Sequence, residues 1–287
     1  MTALRQKMIE DMVLRGLKAT TQEAYLRAVQ QLAEYYHKSP DRVSGEELRQ
    51  YLLYLRQEKQ AARGTCVIAL YGLKFFYKYT LGKEWPAEAF VRLPREKKLQ
   101  VVLSRGEVKQ VLKRVKRFHY RVCLGTIYSC GLRLKEGVHL RVADIDSQRM
   151  RVAVRGGKGN KDRYVPLPQR TLELLRAYWV KHRHPVWLFP GRENLSQTQA
   201  VKPMCESGVQ RAFRAAVAAS GISKKATVHT LRHSWATHLL EAGVTIRQIQ
   251  RYLGHTSLAT TMIYTHLTAE GESQTQVTLD QLMSDLL

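Results

Sequence analysis

Acidic residues are scarce in this sequence. Its 287 residues include 24 Asp and Glu against 47 Lys and Arg, which leaves a net charge of +23. So large an imbalance drives a compact chain apart unless an anion compensates it. Cysteine is scarce as well: Cys66, Cys123, Cys130 and Cys205 are the only four, and no pair has CxxC spacing. This speaks against a secreted, disulfide-stapled chain, and the apolar surroundings of Cys123 and Cys130 mark them as buried, reduced thiols. No apolar run reaches the roughly 18 residues that a membrane-crossing helix needs. No signal-peptide pattern opens the chain, so the expected location is the cytoplasm. Internal repeats and low-complexity segments are missing too.

What is present is positive charge, spread over both halves. Residues 1–100 hold 18 Lys and Arg against 11 Asp and Glu, and the remainder holds 29 against 13. Nucleic acid is the expected polyanion, because neutralising its phosphates releases condensed counterions and gives sequence-independent affinity. A membrane surface fits less well, since no isolated Lys-rich amphipathic segment stands out. The length allows two domains with a substantial core. Two basic halves suggest a clamp that grips a duplex from both sides.

Residues 1–82 read as a four-helix module. Leu4, Met8 and Met12 line the first helix, and Thr20-Thr21 opens a second that carries Tyr25, Val29, Leu32 and Tyr36. Ser44 with Glu47 forms a capping box ahead of Leu48, Leu52 and Leu55. The fourth helix follows Gly64-Thr65 through Ile68, Leu73, Phe76 and Tyr79, with Lys74 and Lys78 on its polar face as candidate DNA contacts. Residues 83–103 break the periodicity with Pro86 and Pro94 and hold Arg95, Lys97 and Lys98, a basic linker expected to lie along DNA. Ser104 with Glu107 restarts helix, which continues to about Leu140. Met150–Arg155 alternates, a glycine-rich turn follows, and Tyr164–Leu167 completes a hairpin. Helices are expected again at Leu172–Val180, Val209–Ala219, Leu231–Glu241, Ile246–Tyr252 and about Ala259–Thr265. The last 17 residues lack Lys and Arg but keep Val277, Leu279, Leu282, Met283 and Leu286, an amphipathic helix suited to docking on protein.

Six residues in the later part of the chain carry chemistry. Arg133 follows Gly131-Leu132 at the end of an apolar helix; an arginine there is commonly a surface residue, yet its fork also suits a phosphate. Glu136, three residues on, can hold that guanidinium in place. His229 and Arg232 are three apart at a helix start and share a face. The His229/His233 pair invites a zinc reading, but Thr230 stands where HExxH needs glutamate, so no metal is expected. Lys158 sits between Gly157 and Gly159, where the backbone can come close to DNA, and Lys161 competes for its role. His255 follows Gly254, and Tyr264 comes nine residues later. A phenol with an ordinary pKa of about 10 needs cationic surroundings or a base before it can attack.

In their order, these residues resemble the tyrosine recombinases, the phage-integrase family, and in particular compact bacterial members akin to Xer and integron integrases. The likeness spans residues 2–287. It is most specific in Gly131-Leu132-Arg133, Gly157–Lys161, His229-Thr230-Leu231-Arg232-His233, Tyr252-Leu253-Gly254-His255 and the segment ending at Tyr264. All six positions of the family's Arg-Lys-His-Arg-His-Tyr set are filled. Lys135-Glu136-Gly137 departs from the more usual Ser-Glu-Leu-like sequence, and no extra N-terminal arm-binding domain is expected.

The resemblance implies a mainly α protein with a small β-sheet, built as a two-domain C-shaped clamp. A SAM-like helical core-binding domain (1–82), a linker (83–103) and a mixed α/β catalytic domain (104–287) follow in order. It further implies site-specific cutting and rejoining of DNA without metal, ATP or cofactor, on an inverted-repeat site. The protein would be a monomer or dimer off DNA and a tetramer on two sites, with the helix at about 275–287 a candidate for exchange between protomers. Tyr264 would attack, Arg133, Arg232 and His255 would bind the phosphate, His229 would take the tyrosine proton, and Lys158 would protonate the leaving oxygen. Three other classes remain at this point. A type IB topoisomerase would relax supercoils as a monomer without site preference. A HUH-type nuclease would need a divalent metal, and His182-Arg183-His184 has the wrong central residue for it. A non-catalytic DNA-binding protein would explain the charge but not the six-residue set.

Overall fold

The computed structural model describes residues 2–85, 100–156, 162–191 and 200–267. The chain divides into two compact units, Met1–Lys97 and Lys98–Leu287.

In the first unit, α1 (Ala3–Leu14), α2 (Ala19–Tyr36), α3 (Gly45–Gln57) and α4 (Arg63–Phe75) form the four expected helices. Met8, Met12, Leu32, Leu48, Leu55, Leu73 and Phe76 are almost fully buried and make a single core. Ser44 and Glu47 form the capping box on α3, with Glu47 N–H donating to Ser44 Oγ at 3.2 Å and Ser44 N–H to Glu47 at 2.8 Å. Thr20 and Thr21 lie within the first turn of α2, whose cap is Lys18 without a side-chain hydrogen bond. Beyond Phe75 the fourth helix widens into a π-helical stretch, Phe76–Thr80. Ile68 and Tyr79 face solvent, whereas Phe76 faces the core.

The second unit is also mainly helical. It holds α5 (Arg105–Arg114), α6 (Phe118–Ser129), α7 (Leu134–Val138), α8 (Gln169–Trp179), α9 (Glu206–Ala219), α10 (Val228–Glu241) and α11 (Ile246–Leu253). Between α7 and α8 run β1 (Ile145–Asp146), β2 (Arg151–Val154) and β3 (Arg163–Pro166), an antiparallel sheet in that order. Val152 opposes Val165 in the expected hairpin. The two-residue edge strand β1 was not anticipated; it is too short to show alternation.

Helix α5 opens on the expected Ser104/Glu107 capping box. Just before it, Leu103 is fully buried and its N–H donates to Ser234 Oγ of α10 at 2.9 Å, so these residues pack with the second unit. Helix α6 sits in the core through Val122, Cys123, Leu124 and Ile127, against Leu172 and Leu175 of α8 and Val209 and Phe213 of α9. Cys123 and Cys130 are free and buried, as read from their surroundings. The segment expected to be α-helical near Tyr264 is instead two 3₁₀ turns, Leu258–Thr260 and Met262–Leu267. Among the described residues no helix is long and apolar enough to cross a membrane. The candidates Arg95, Lys97, Lys98, Lys158 and Lys161, and the C-terminal segment 275–287, lie outside the described residues.

Candidate active site

Five of the six chemistry-bearing residues lie within the described part, and all five line one cavity of about 430 Å³: Arg133, His229, Arg232, His255 and Tyr264. Two glycine breaks and the start of one helix bring four of them there. Helix α6 ends at Ser129, and Gly131 then turns the chain with φ +59°. A Cβ on Gly131 would stand 2.3 Å from the Trp235 ring, so only glycine fits both the backbone conformation and the space. That turn delivers Arg133 to the start of α7, where its backbone N–H donates to Glu136 Oε2 at 2.9 Å. His229 and Arg232 come from the first turns of α10. Gly254, with φ +62°, caps α11 and delivers His255.

Arg232 lines the cavity although it is only 1% exposed. Its Nη1 donates to the Gly131 carbonyl at 2.8 Å and its Nη2 to the Leu253 carbonyl at 2.6 Å. These carbonyls belong to the ends of helical segments, where backbone oxygens lack partners and a cation is favoured. Burial, followed by Arg133 nearby, lowers Arg232 to about 9, which leaves it charged at neutral pH.

Glu136 is the carboxylate on which the cations converge. Arg133 Nη1 lies 2.7 Å from Oε1, Arg163 Nη1 and Nη2 lie 3.0 and 2.8 Å from its two oxygens, and Arg232 Nη1 lies 3.6 Å from Oε2. Burial opposes ionisation of Glu136, but hydrogen bonds from Arg163 and Arg133 outweigh it and hold the carboxyl near about 2. Three guanidiniums on one carboxylate leave this cluster with two positive charges in excess. A single anion seated in the cavity would be strongly favoured there.

Tyr264 is 2% exposed, and its ring packs with Trp235, Ile249 and Leu253. Its hydroxyl nevertheless reaches the polar side, 2.9 Å from His233 Nδ1. Burial raises the phenol pKa, with Arg232 and Arg133 pulling the other way. Burial also lowers the three imidazoles: His229 falls, and His233 and His255 drop to about 4. All three are therefore neutral at pH 7. His255 Nδ1 lies 3.0 Å from Thr261 Oγ1, which fixes the ring, and its Nε2 lies 3.5 Å from Arg232 Nη2. The His229 and His233 rings meet edge to face at 4.5 Å. Among the described residues no group of three or more His, Cys, Asp or Glu is arranged to hold a metal ion.

His233 and Arg163 were not singled out as site residues in the sequence. His233 stood inside the motif already quoted, four positions from His229, and its place on the same helical face was the available signal. Arg163 carried none that set it apart from the other arginines. Of the proposed DNA contacts, Lys74 is half-buried in α4, and Lys78 is exposed in the π-helical stretch.

The same architecture occurs in known proteins. Residues 102–270 match the phage integrase family model, and residues 4–87 match the phage integrase N-terminal SAM-like domain. The chain belongs to the phage integrase family. It is a tyrosine recombinase, an enzyme class that cuts and rejoins DNA at specific sites. It is 44% identical over 265 residues to the putative integrase/recombinase y4qK of Sinorhizobium fredii, covering 92% of this chain and 84% of the relative. It is 28% identical to the tyrosine recombinase XerD of Halalkalibacterium halodurans, covering 92% and 93% of the two chains. Among solved structures it is similar in fold to a lambda integrase tetramer bound to a Holliday junction, with a TM-score of 0.72 at 18% identity, covering 90% of this chain and 76% of that one.

Proposed function

We propose that this recombinase cuts and rejoins duplex DNA at an inverted-repeat site through a 3′-phosphotyrosyl intermediate on Tyr264, with neither metal nor ATP. Arg133 and Arg232 hold the non-bridging oxygens of the scissile phosphate and stabilise the charge that builds on them in the transition state. The Tyr264 oxygen forms a bond to phosphorus as the bond to the 5′-oxygen breaks. His229 accepts the phenol proton once the hydroxyl leaves His233 for the phosphate, and Lys158 donates a proton to the departing oxygen. His255 adds a hydrogen bond to the phosphate. The 5′-hydroxyl of a partner strand then reverses the step, so the bond energy is retained.

The observation that carries this reading is the cavity that joins an excess of guanidinium charge to a phenol oxygen already on an imidazole. The solved lambda integrase assembly, a tetramer on a Holliday junction, supports a tetramer on two DNA sites as the working form here too. In that assembly the segment from Thr275 onward would dock on a neighbouring protomer, in the cytoplasm and without membrane contact. Truncated protein that still forms tetramers with full strand exchange would rule out that docking.

The decisive experiment uses a nicked duplex recovered from a random-sequence pool by covalent capture on the wild-type protein. An SDS-resistant adduct should form in EDTA and without ATP. Tyr264→Phe should abolish the adduct and keep DNA binding. An adduct that survives Tyr264→Phe, or that needs a divalent cation, overturns the mechanism.

A further inference from the structure

Arg163 joins pieces of the site that are far apart in the chain. It opens β3, and its side chain is 9% exposed. Its Nη1 and Nη2 make a two-pronged contact with Glu136, 27 residues earlier, while Nε donates to the Tyr252 carbonyl, 89 residues later, at 2.6 Å. All three guanidinium nitrogens are thus engaged. Glu136 in turn holds Arg133 through both its guanidinium and its backbone N–H, and stands beside Arg232. Tyr252 lies in the last turn of α11, one residue before the Leu253 carbonyl that receives Arg232. Gly254 is packed on Arg163 itself: a Cβ there would lie 3.0 Å from Arg163 Cδ. One buried side chain therefore ties β3 to the start of α7 and to the turn that presents His255.

We propose that Arg163 is a positioning residue for the transfer reaction. It fixes the Glu136 carboxylate so that Arg133 and Arg232 face one phosphate, and it holds the Gly254–His255 turn against them. Arg163 does not touch the substrate. The inference rests on the recombinase reading above and assigns a role to a residue outside the six-member set. Lysine is no substitute, because one ammonium cannot bridge both carboxylate oxygens in plane and also reach the Tyr252 carbonyl. Placement of this kind matters for rate, since a 1 Å displacement of a catalytic group costs on the order of 100-fold.

The test compares Arg163→Lys, Arg163→Gln, Glu136→Gln and the Arg163→Gln/Glu136→Gln double variant on the duplex captured by the wild-type protein. Single-turnover cleavage, DNA affinity and thermal melting are read for each. Arg163→Lys should lose on the order of 100-fold in cleavage rate, with affinity within a few-fold of wild type. The double variant should lose less than the product of the two single losses, because the two residues share one two-pronged contact while Arg163 also holds Tyr252 and Glu136 also holds Arg133. Wild-type cleavage by Arg163→Lys, a loss that follows melting temperature and affinity together, or multiplicative losses in the double variant would overturn the proposal. Failure of the wild-type protein to capture any duplex would instead sink the recombinase mechanism. Arg163 is then judged on the DNA-free protein by NMR titration of His255 in Arg163→Lys, which keeps the positive charge, and the pKa should rise as the loosened turn exposes the imidazole. An unmoved titration rejects the positioning role.

Discussion

The phenol oxygen of Tyr264 lies 2.9 Å from Nδ1 of His233, so the imidazole that meets the hydroxyl is the one directly after Arg232. The rest of the phenol is packed on Trp235, Ile249 and Leu253. Truncating His233 to alanine leaves a buried O–H without its partner, at a cost of about 1–3 kcal/mol. In a Tyr264→Phe background the same truncation should cost less, because the hydroxyl is already gone. Urea unfolding of the four proteins at pH 7.5 should give a coupling energy of about 1 kcal/mol. Strict additivity would mean that the contact contributes nothing in solution.

The two most depressed imidazoles of the site give the fold a pH dependence of definite sign. His233 and His255 titrate at about 4 in the folded protein, where burial and neighbouring cations oppose their charge, against 6.5 for the free side chain. Between those values the unfolded chain binds more protons than the folded one, so stability falls as pH falls. It is complete above 6.5 and has been lost by about 4. Melting temperature should therefore decline from pH 7 to pH 4.5, and His233→Asn or His255→Asn should each flatten the slope. Bound duplex should flatten it too, since a phosphate in the cavity favours the imidazolium forms. A melting temperature that rises on acidification, or variants with the wild-type slope, would contradict this account.

Gly131 joins the backbone to the anion cavity. It has φ +59°, lies against Trp235, and offers its carbonyl to Arg232 at 2.8 Å. Gly131→Ala must strain the left-handed backbone, at about 1–2 kcal/mol, and push an indole that is itself held by a 3.1 Å bond to the Ser129 carbonyl. Overpacking adds about 1–3 kcal/mol. Denaturant midpoints should drop accordingly, and DNA cleavage should fall further than the unfolded fraction explains, because Arg232 loses its support. Equal loss of both would show that the turn is purely structural.

Much of this was legible in the sequence, for identifiable reasons. The capping boxes at Ser44 and Ser104 are local, so residue type and spacing alone specify them. The hairpin that pairs Val152 with Val165 announced itself through alternation and a glycine-rich turn. Contacts between distant segments were not legible. Glu136 could be linked to Arg133 three residues away, but nothing local links it to Arg163 at a separation of 27. The 3₁₀ turns around Tyr264 were misread as an α-helix because their apolar residues follow helical spacing, while His255, Thr261 and the packed phenol set the actual path.

The choice between Lys158 and Lys161 can be made chemically. A general acid is needed because an alkoxide is a poor leaving group, and loss of such a group typically costs about 10²–10⁴-fold. Replacing the bridging 5′-oxygen of the captured duplex with sulfur removes that need, because a thiol ionises at about 8.5. Lys158→Ala should therefore cleave the ordinary duplex about 10²–10⁴-fold more slowly than wild type, yet cleave the sulfur-bridged duplex at nearly the wild-type rate. Lys161→Ala should show no such selective rescue. The reverse pattern would move the role to Lys161, and absence of rescue in both would assign the proton donor to another residue.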